Sequence, residues 1–267
     1  MNIVVLVKQT FDTEERIVLT DGVVSEDGVK FVINPYDEYA VEQGILMRDA
    51  AGGGKVTVLS VGPARVAEAL RAALAMGADE AVLIDDPRIG TDEHAVSLAL
   101  AAALGGADGA GAPTLGGAPV DVLLGGNFSV DNGAGQVAVR LAALLGVPHV
   151  ASVTALEASG GAARAERDAE GDVEVVEVPL PALFTAQQGL NEPRYPSLPG
   201  IMKAKKKPFA TLTLDDLGLS PDDVAPKTAR VGLALPPARA AGRLLAGDPA
   251  AQAAELARLL RDEAKVL

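Results

Sequence analysis

An α/β fold with a mostly parallel sheet and helices on both of its faces is predicted by three observations. Short apolar runs alternate with helical periodicities from residue 3 to residue 150, which is the pattern of repeated β–α–β crossovers. The first of them, residues 3–7, is continuously apolar rather than alternating, as strands buried on both faces are. Of 267 residues, 49% are hydrophobic but only 3% are aromatic. The core must therefore be built from Ala, Val and Leu, which suits helices laid close against a sheet.

In chain order, residues 3–7 form a first buried strand that ends at Lys8. Residues 10–30 are polar, with turn signals at Asp21-Gly22 and Asp27-Gly28, and predict short edge strands or a hairpin. Val32-Ile33 runs into Asn34-Pro35-Tyr36-Asp37. Asn34 precedes a proline and should be extended. Asp37 is placed to N-cap a helix over 38–50 that turns Ala40, Val41, Ile45 and Leu46 inward. Residues 56–61 are the next strand. Gly62-Pro63 then opens a helix in which Val66, Ala69, Leu70, Ala73 and Leu74 share one face. Gly77 ends it, residues 81–84 are a strand, 94–104 a helix, and 105–118 a low-complexity surface loop.

The stretch 119–148 organises the rest. Residues 121–124 are one buried strand and 136–145 a helix stopped by Gly146 and Pro148. Between them lies a Gly-rich loop. Backbone N–H groups left free where such a loop meets a helix N-terminus can hold a phosphate. Gly133 and Gly135 let the backbone approach an anion, and Asn132 tolerates left-handed dihedrals. The loop is neither G-x-G-x-x-G nor a P-loop. In a parallel sheet the loops at the carboxyl ends of the strands build the ligand crevice. The turns at Lys8, at Asn34-Pro35, at Ser60-Val61-Gly62 and at 125–136 would converge there as a mononucleotide site.

Composition narrows the function. A net charge of −13 argues against nucleic acid or an anionic membrane as the main partner. With no cysteine, disulfides, zinc thiolates and Cys nucleophiles are excluded. Of the two histidines, His94 and His149, neither has a second His nearby in sequence, and His149 at the start of an apolar strand reads as structural. No Ser/His/Asp or paired-carboxylate constellation is visible, and Asp131 reads as a turn residue, so an enzyme is the weakest reading. No apolar run reaches the ~20 residues of a membrane span. Met1 leads straight into a strand, which predicts a soluble cytoplasmic protein without a signal peptide.

After residue 150 the pattern changes. Residues 151–178 alternate around Gly160-Gly161 and Glu170-Gly171-Asp172 as hairpins do, and 183–186 are a short strand. Residues 187–208 hold four prolines and cannot be regular throughout. Leu198, Ile201 and Met202 stand there beside Lys203, Lys205, Lys206 and Lys207, and the combination fits a docking loop for an acidic partner. The lysines alone would equally suit a solvated helix end. The segment 209–247 has too few apolar residues for its own core and reads as an arm laid on another surface, followed by a helix over 248–266.

The segment LNEPRYPSLPGIMKAKKKP, with VLVKQ near the start, INPYDEYAVEQG, ALAMGAD and the PPAR of the tail, resembles the β subunit of electron-transfer flavoproteins along essentially the whole chain. The resemblance implies a Rossmann-like domain over 1–208 that includes the docking loop, and an arm and helix over 209–267 packing on an α subunit. It implies a heterodimer that takes electrons from acyl-CoA or other dehydrogenases and passes them to a quinone-linked acceptor. The carrier is one FAD held mainly by the α subunit, and an AMP is buried in the β subunit. The AMP contacts would fall at Leu6, at Asn34, Pro35, Tyr36 and Asp37, at Val61, and at Gly125, Gly126, Asn127, Phe128, Ser129, Val130, Asp131, Asn132, Gly133, Ala134, Gly135 and Gln136. Leu198 matches the family's anchor into a partner dehydrogenase. Tyr195, Pro196, Ser197, Pro199, Gly200, Ile201, Met202, Lys203 and Lys206 surround it in the docking loop. Thr13 stands where some members carry a Tyr near the flavin. Some relatives bind a second FAD in place of AMP and bifurcate electrons, but NFSVDNGAGQV lacks their DGDTAQVG wording, which favours AMP. The competing reading from another class is a stand-alone adenine-nucleotide-binding module akin to universal stress proteins.

Overall fold

Two-sided burial decides the architecture of the computed structural model, which describes residues 1–106, 112–239 and 241–267. The chain begins with β1 (Asn2–Leu6), β2 (Gln9–Phe11), β3 (Leu19–Thr20), β4 (Val23–Val24) and β5 (Phe31–Ile33), then α1 (Pro35–Ala50). β6 (Lys55–Val61), α2 (Ala67–Met76), β7 (Glu80–Ile84) and α3 (Glu93–Ala103) follow. Next come the hairpin β8 (Thr114–Leu115) and β9 (Ala118–Pro119), then β10 (Val122–Gly126) and α4 (Val137–Leu145). β11 (His149–Ser159), β12 (Ala162–Ala169), β13 (Asp172–Pro179) and β14 (Ala182–Ala186) complete the sheet's far side. The chain ends with α5 (Leu198–Ala204), β15 (Phe209–Leu212) and α6 (Pro249–Asp262).

Among the described residues nine strands form the main sheet, in the order β13-β12-β11-β14-β10-β1-β6-β7-β15. The strands from β11 to β15 in that order are parallel, and β12 and β13 add an antiparallel meander at one edge. Alternate residues of each parallel strand feed two cores. Ile3 and Val5 of β1 and Val122 and Leu124 of β10 pack with Val41 and Ile45 of α1 and Leu70 and Leu74 of α2. Val4, Leu6 and Leu123 pack on the other face with Leu100 of α3 and Leu141 and Leu145 of α4. Each such buried side chain contributes roughly 1.5–3 kcal/mol of transfer free energy. From β1 the chain builds outward through β6 and β7, then returns across to β10 and β14. The order therefore reverses between β1 and β10, which is where a crevice opens in this kind of sheet.

Several local expectations change. α1 starts at Pro35, not after Asp37, because proline supplies the helical φ of a first turn at no hydrogen-bond cost and Asn34 takes the N-cap position. Leu46 is exposed at 42%, and Met47 points inward in its place. Within 187–208, Ser197 caps a short helix, accepting from the Gly200 N–H. Of the low-complexity loop 105–118, residues 107–111 lie outside the described residues, and 114–119 are the β8–β9 hairpin. The polar stretch 10–30 contains the hairpin β3–β4, and its ends pair as β2 with β5.

The expected boundary at 208 does not coincide with the sheet edge. β15 pairs in parallel with β7, with Phe209 opposite Ala81 and Leu212 opposite Ile84. Beyond it, Leu214 and Val224 bury beside Ala95. Asp86 accepts from the Leu214 N–H, and Asp92 from the N–H groups of Lys227 and Thr228. The compact unit runs on to Val231. A second unit comprises Leu19–Val24 and Gly232–Leu267, of which residue 240 lies outside the described residues. Its α6 is capped by Asp248, which accepts from the N–H groups of Ala250 and Ala251, and the helix buries none of its described residues.

Candidate functional site

The crevice between the carboxyl ends of β1, β6 and β10 is an open cavity of about 180 Å³. Leu6, Lys8, Asn34, Asp37, Ser60 and Val61 line it together with Gly125, Gly126, Asn127, Phe128, Ser129, Asn132, Ala134, Gly135 and Gln136. All four turns singled out in the sequence thus meet in one place. Of the other predicted residues, Pro35 lines a separate groove beside α2, while Tyr36, Val130, Asp131 and Gly133 stand outside the lining. Tyr36 instead packs against Phe128, the rings tilted by 43° with centroids 4.2 Å apart. Thr91, Glu93, Val96 and Leu100, from α3 and the turn before it, close one wall. No motif marked them, because they enter from a helix that carries no loop signal of its own.

Asp37 fixes the mouth of the crevice. Its side chain is buried, and it accepts from the Lys8 N–H at 2.6 Å, the Gly126 N–H at 2.9 Å and the Asn34 amide at 3.1 Å. One carboxyl therefore ties the end of β1 to the end of β10 across the switch point. Asn34, also buried, carries the tie onward. Its amide donates to the Phe128 carbonyl and its oxygen accepts from the Val130 N–H, so the loop after β10 is pinned to the start of α1. Asn127 anchors the base of that loop, donating its N–H to Ala186 and accepting from the Thr185 hydroxyl.

The loop closes with Gly133 donating to the Ser129 carbonyl. Gly133 and Gly135 lie at φ +71° and +62°, a left-handed conformation that side chains resist. A Cβ at Gly133 would meet nothing within 4 Å, so its need for glycine is conformational. α4 then begins at Val137, and its N-cap Gln136 makes no side-chain cap bond but accepts from the Arg140 guanidinium. First-turn N–H groups of α4 are thus left to an incoming acceptor, which favours an anion there.

Burial pushes the Asp37 carboxyl up to about 7, against the pull of its three N–H donors. The folded value lies above the ordinary 3.8, so between about pH 4 and 7 the folded chain holds a proton that the unfolded chain releases. This group's contribution to stability is full below about pH 4, declines through that window and levels off above about pH 7. Asp37→Asn should destabilise the fold by about 1–3 kcal/mol, since an amide N–H₂ then faces a backbone donor. The penalty should be largest at the acid end of the window and shrink toward neutral pH. Thermal midpoints of both proteins across that range check it; a penalty that grows with pH would mean that the donors keep the carboxyl ionised throughout.

Around α5 the predicted docking residues separate into two faces. Tyr195, Leu198, Ile201 and Met202 are exposed, at 96%, 79%, 43% and 71%. Lys203, Lys205 and Lys206 are exposed with them. Ala204 is buried, and the Arg71 guanidinium donates to its carbonyl at 2.6 Å. Lys207 leaves the cluster: its amine donates to the carbonyls of Leu74 and Ala78 at the end of α2, where a cation complements the helix dipole. Upstream, Arg194 grips Glu42 of α1 with two guanidinium nitrogens, at 2.8 and 2.7 Å.

Among the described residues no group of three or more His, Cys, Asp or Glu side chains could hold a metal ion, and no helix is long and apolar enough to cross a membrane. The profile of the electron transfer flavoprotein domain matches residues 21–217. Over 269 aligned positions, covering both chains in full, the sequence is 50% identical to the electron transfer flavoprotein subunit beta of Bacillus subtilis (strain 168). It is 39% identical to the same subunit of Syntrophomonas wolfei, over all of this chain and 98% of the relative. It is 35% identical, over 92% of each chain, to the caffeyl-CoA reductase-Etf complex subunit CarD of Acetobacterium woodii.

Proposed function

Since the chain belongs to the electron transfer flavoprotein family as a β subunit, we propose that it pairs with an α subunit in a cytoplasmic heterodimer. That heterodimer carries electrons from acyl-CoA or other dehydrogenases to a quinone-linked acceptor. FAD sits mainly in the α subunit, with this chain covering one edge. A structural AMP fills the crevice between β1, β6 and β10. The chain itself transfers electrons by positioning the flavin and its partners, without catalytic residues of its own.

The observation that supports the nucleotide most strongly is the convergence of Leu6, Asn34, Val61 and the loop from Gly125 to Gln136 on one cavity at the switch point. Adenine suits the apolar wall of Leu6, Val61, Val96 and Leu100, and the phosphate suits the open first turn of α4. The apolar face of α5 is the docking surface, Leu198 its anchor, and the arm and α6 pack on the α subunit. The test is mass spectrometry of nucleotides released by denaturing the copurified heterodimer, beside its visible spectrum. One FAD and one AMP per heterodimer is the expected result. Two FAD would support a second flavin in this crevice, and FAD alone would remove AMP from the reading.

A further inference from the structure

Charge in the crevice is oddly distributed for a site that takes an anion. Asp37 and Glu93 line it, and Lys8 is the single Lys or Arg among its described lining residues. Asp37 is spent on its three N–H donors, and Glu93 accepts from the Asn132 amide at 3.2 Å. The Lys8 backbone is clamped by Asp37, so the lysine stem starts from a fixed point at the end of β1. Its amine reaches across the mouth to Asp131 at 2.7 Å and to the Ser129 hydroxyl at 3.2 Å, both in the loop between β10 and α4. The pair is half exposed, with side-chain accessibilities of 45% and 30%. Exchanging one anion for another on Lys8 therefore costs little.

We propose that Lys8 is the cation that meets the nucleotide's phosphate, and that Asp131 is its internal stand-in, occupying the amine until a phosphate displaces it. The proposal rests on the reading of the crevice as a nucleotide site. Burial favours a neutral Asp131, yet the hydrogen bonds from Lys8 and Ser129 hold its carboxyl below the usual range, so it competes as a full anion. The phosphate gains Lys8 only by giving Asp131 back to water, and Asp131 thereby sets the affinity.

Calorimetric titration of AMP and of adenosine into the nucleotide-depleted heterodimer tests this in wild type, Lys8→Gln, Asp131→Asn and the double variant. Lys8→Gln should weaken AMP about tenfold, the loss of a charge-assisted bond, and leave adenosine unchanged. Asp131→Asn should tighten AMP about fivefold, the scale of a freed surface ion pair. In the double variant that gain should vanish, because there is no amine left to free. Unchanged AMP affinity in Lys8→Gln overturns the proposal, as does a parallel loss of adenosine, which would make Lys8 merely structural. A wild type that binds AMP no better than adenosine also overturns it while leaving the nucleotide site standing. A wild type that binds neither overturns both.

Discussion

Gly126→Ala should destabilise the protein by about 3 kcal/mol or more and empty the crevice of nucleotide, because overpacking against backbone finds no relief. A Cβ at position 126 would stand 2.3 Å from Asp37 Oδ1, 2.7 Å from Tyr36 Cβ and 2.9 Å from the Tyr36 carbonyl carbon. The Tyr36 carbonyl belongs to the first turn of α1, and Asp37 cannot withdraw without releasing Lys8 and Asn34. Gly125→Ala is the control. Its Cβ would meet Leu6 Cβ at 3.4 Å, an ordinary contact, so that variant should fold and keep its ligand. Urea denaturation and the nucleotide content of both purified proteins decide the matter. Equal stability of the two variants would mean that the switch point is looser than these distances require.

Much of this was legible because two-sided burial writes itself plainly. Residues 3–7 and 122–124 are apolar at every position, and 56–61 at all but Thr57 and Ser60, since both faces of each strand are covered, and these runs form β1, β10 and β6. The crevice was legible for the same reason, as polar turns interrupt those runs at the same end. Asp37 was read as the helix N-cap, a position that Asn34 holds, and its role as a tie between strands was not legible. Local sequence shows that a helix begins here, whereas the bond to Gly126 spans 89 residues. Glu93 and Thr91 were invisible for the same cause, their approach to the loop being set by the packing of α3 on α4. β15 escaped because four residues after a proline carry no periodicity, and only β7's open edge makes them a strand. Lys207 read as one of four basic residues, and only the carbonyls at the end of α2 set it apart.

The proposed docking surface carries the other large effect. Ser197 caps α5 through the Gly200 N–H, and a Cβ at Gly200 would lie 2.6 Å from the Ala75 carbonyl oxygen, so the helix sits directly on α2. Its inner face, Gly200 and Ala204, fixes the helix, and Leu198 and Met202 project from the outer one. Rigid presentation spares the ordering cost that a loose loop would bear on binding. Leu198→Ala should remove an interface anchor worth about 2 kcal/mol, roughly a 30-fold loss of affinity for the dehydrogenase. Melting temperature and flavin content should hardly move, since a side chain 79% exposed adds little to the core. Neutralising Lys203 and Lys206 should instead slow association and flatten its salt dependence. Electron transfer measured across dehydrogenase concentrations separates the two effects. If Leu198→Ala leaves transfer intact, or melts early and loses flavin, then α5 is a structural strap on α2 and the partner docks elsewhere.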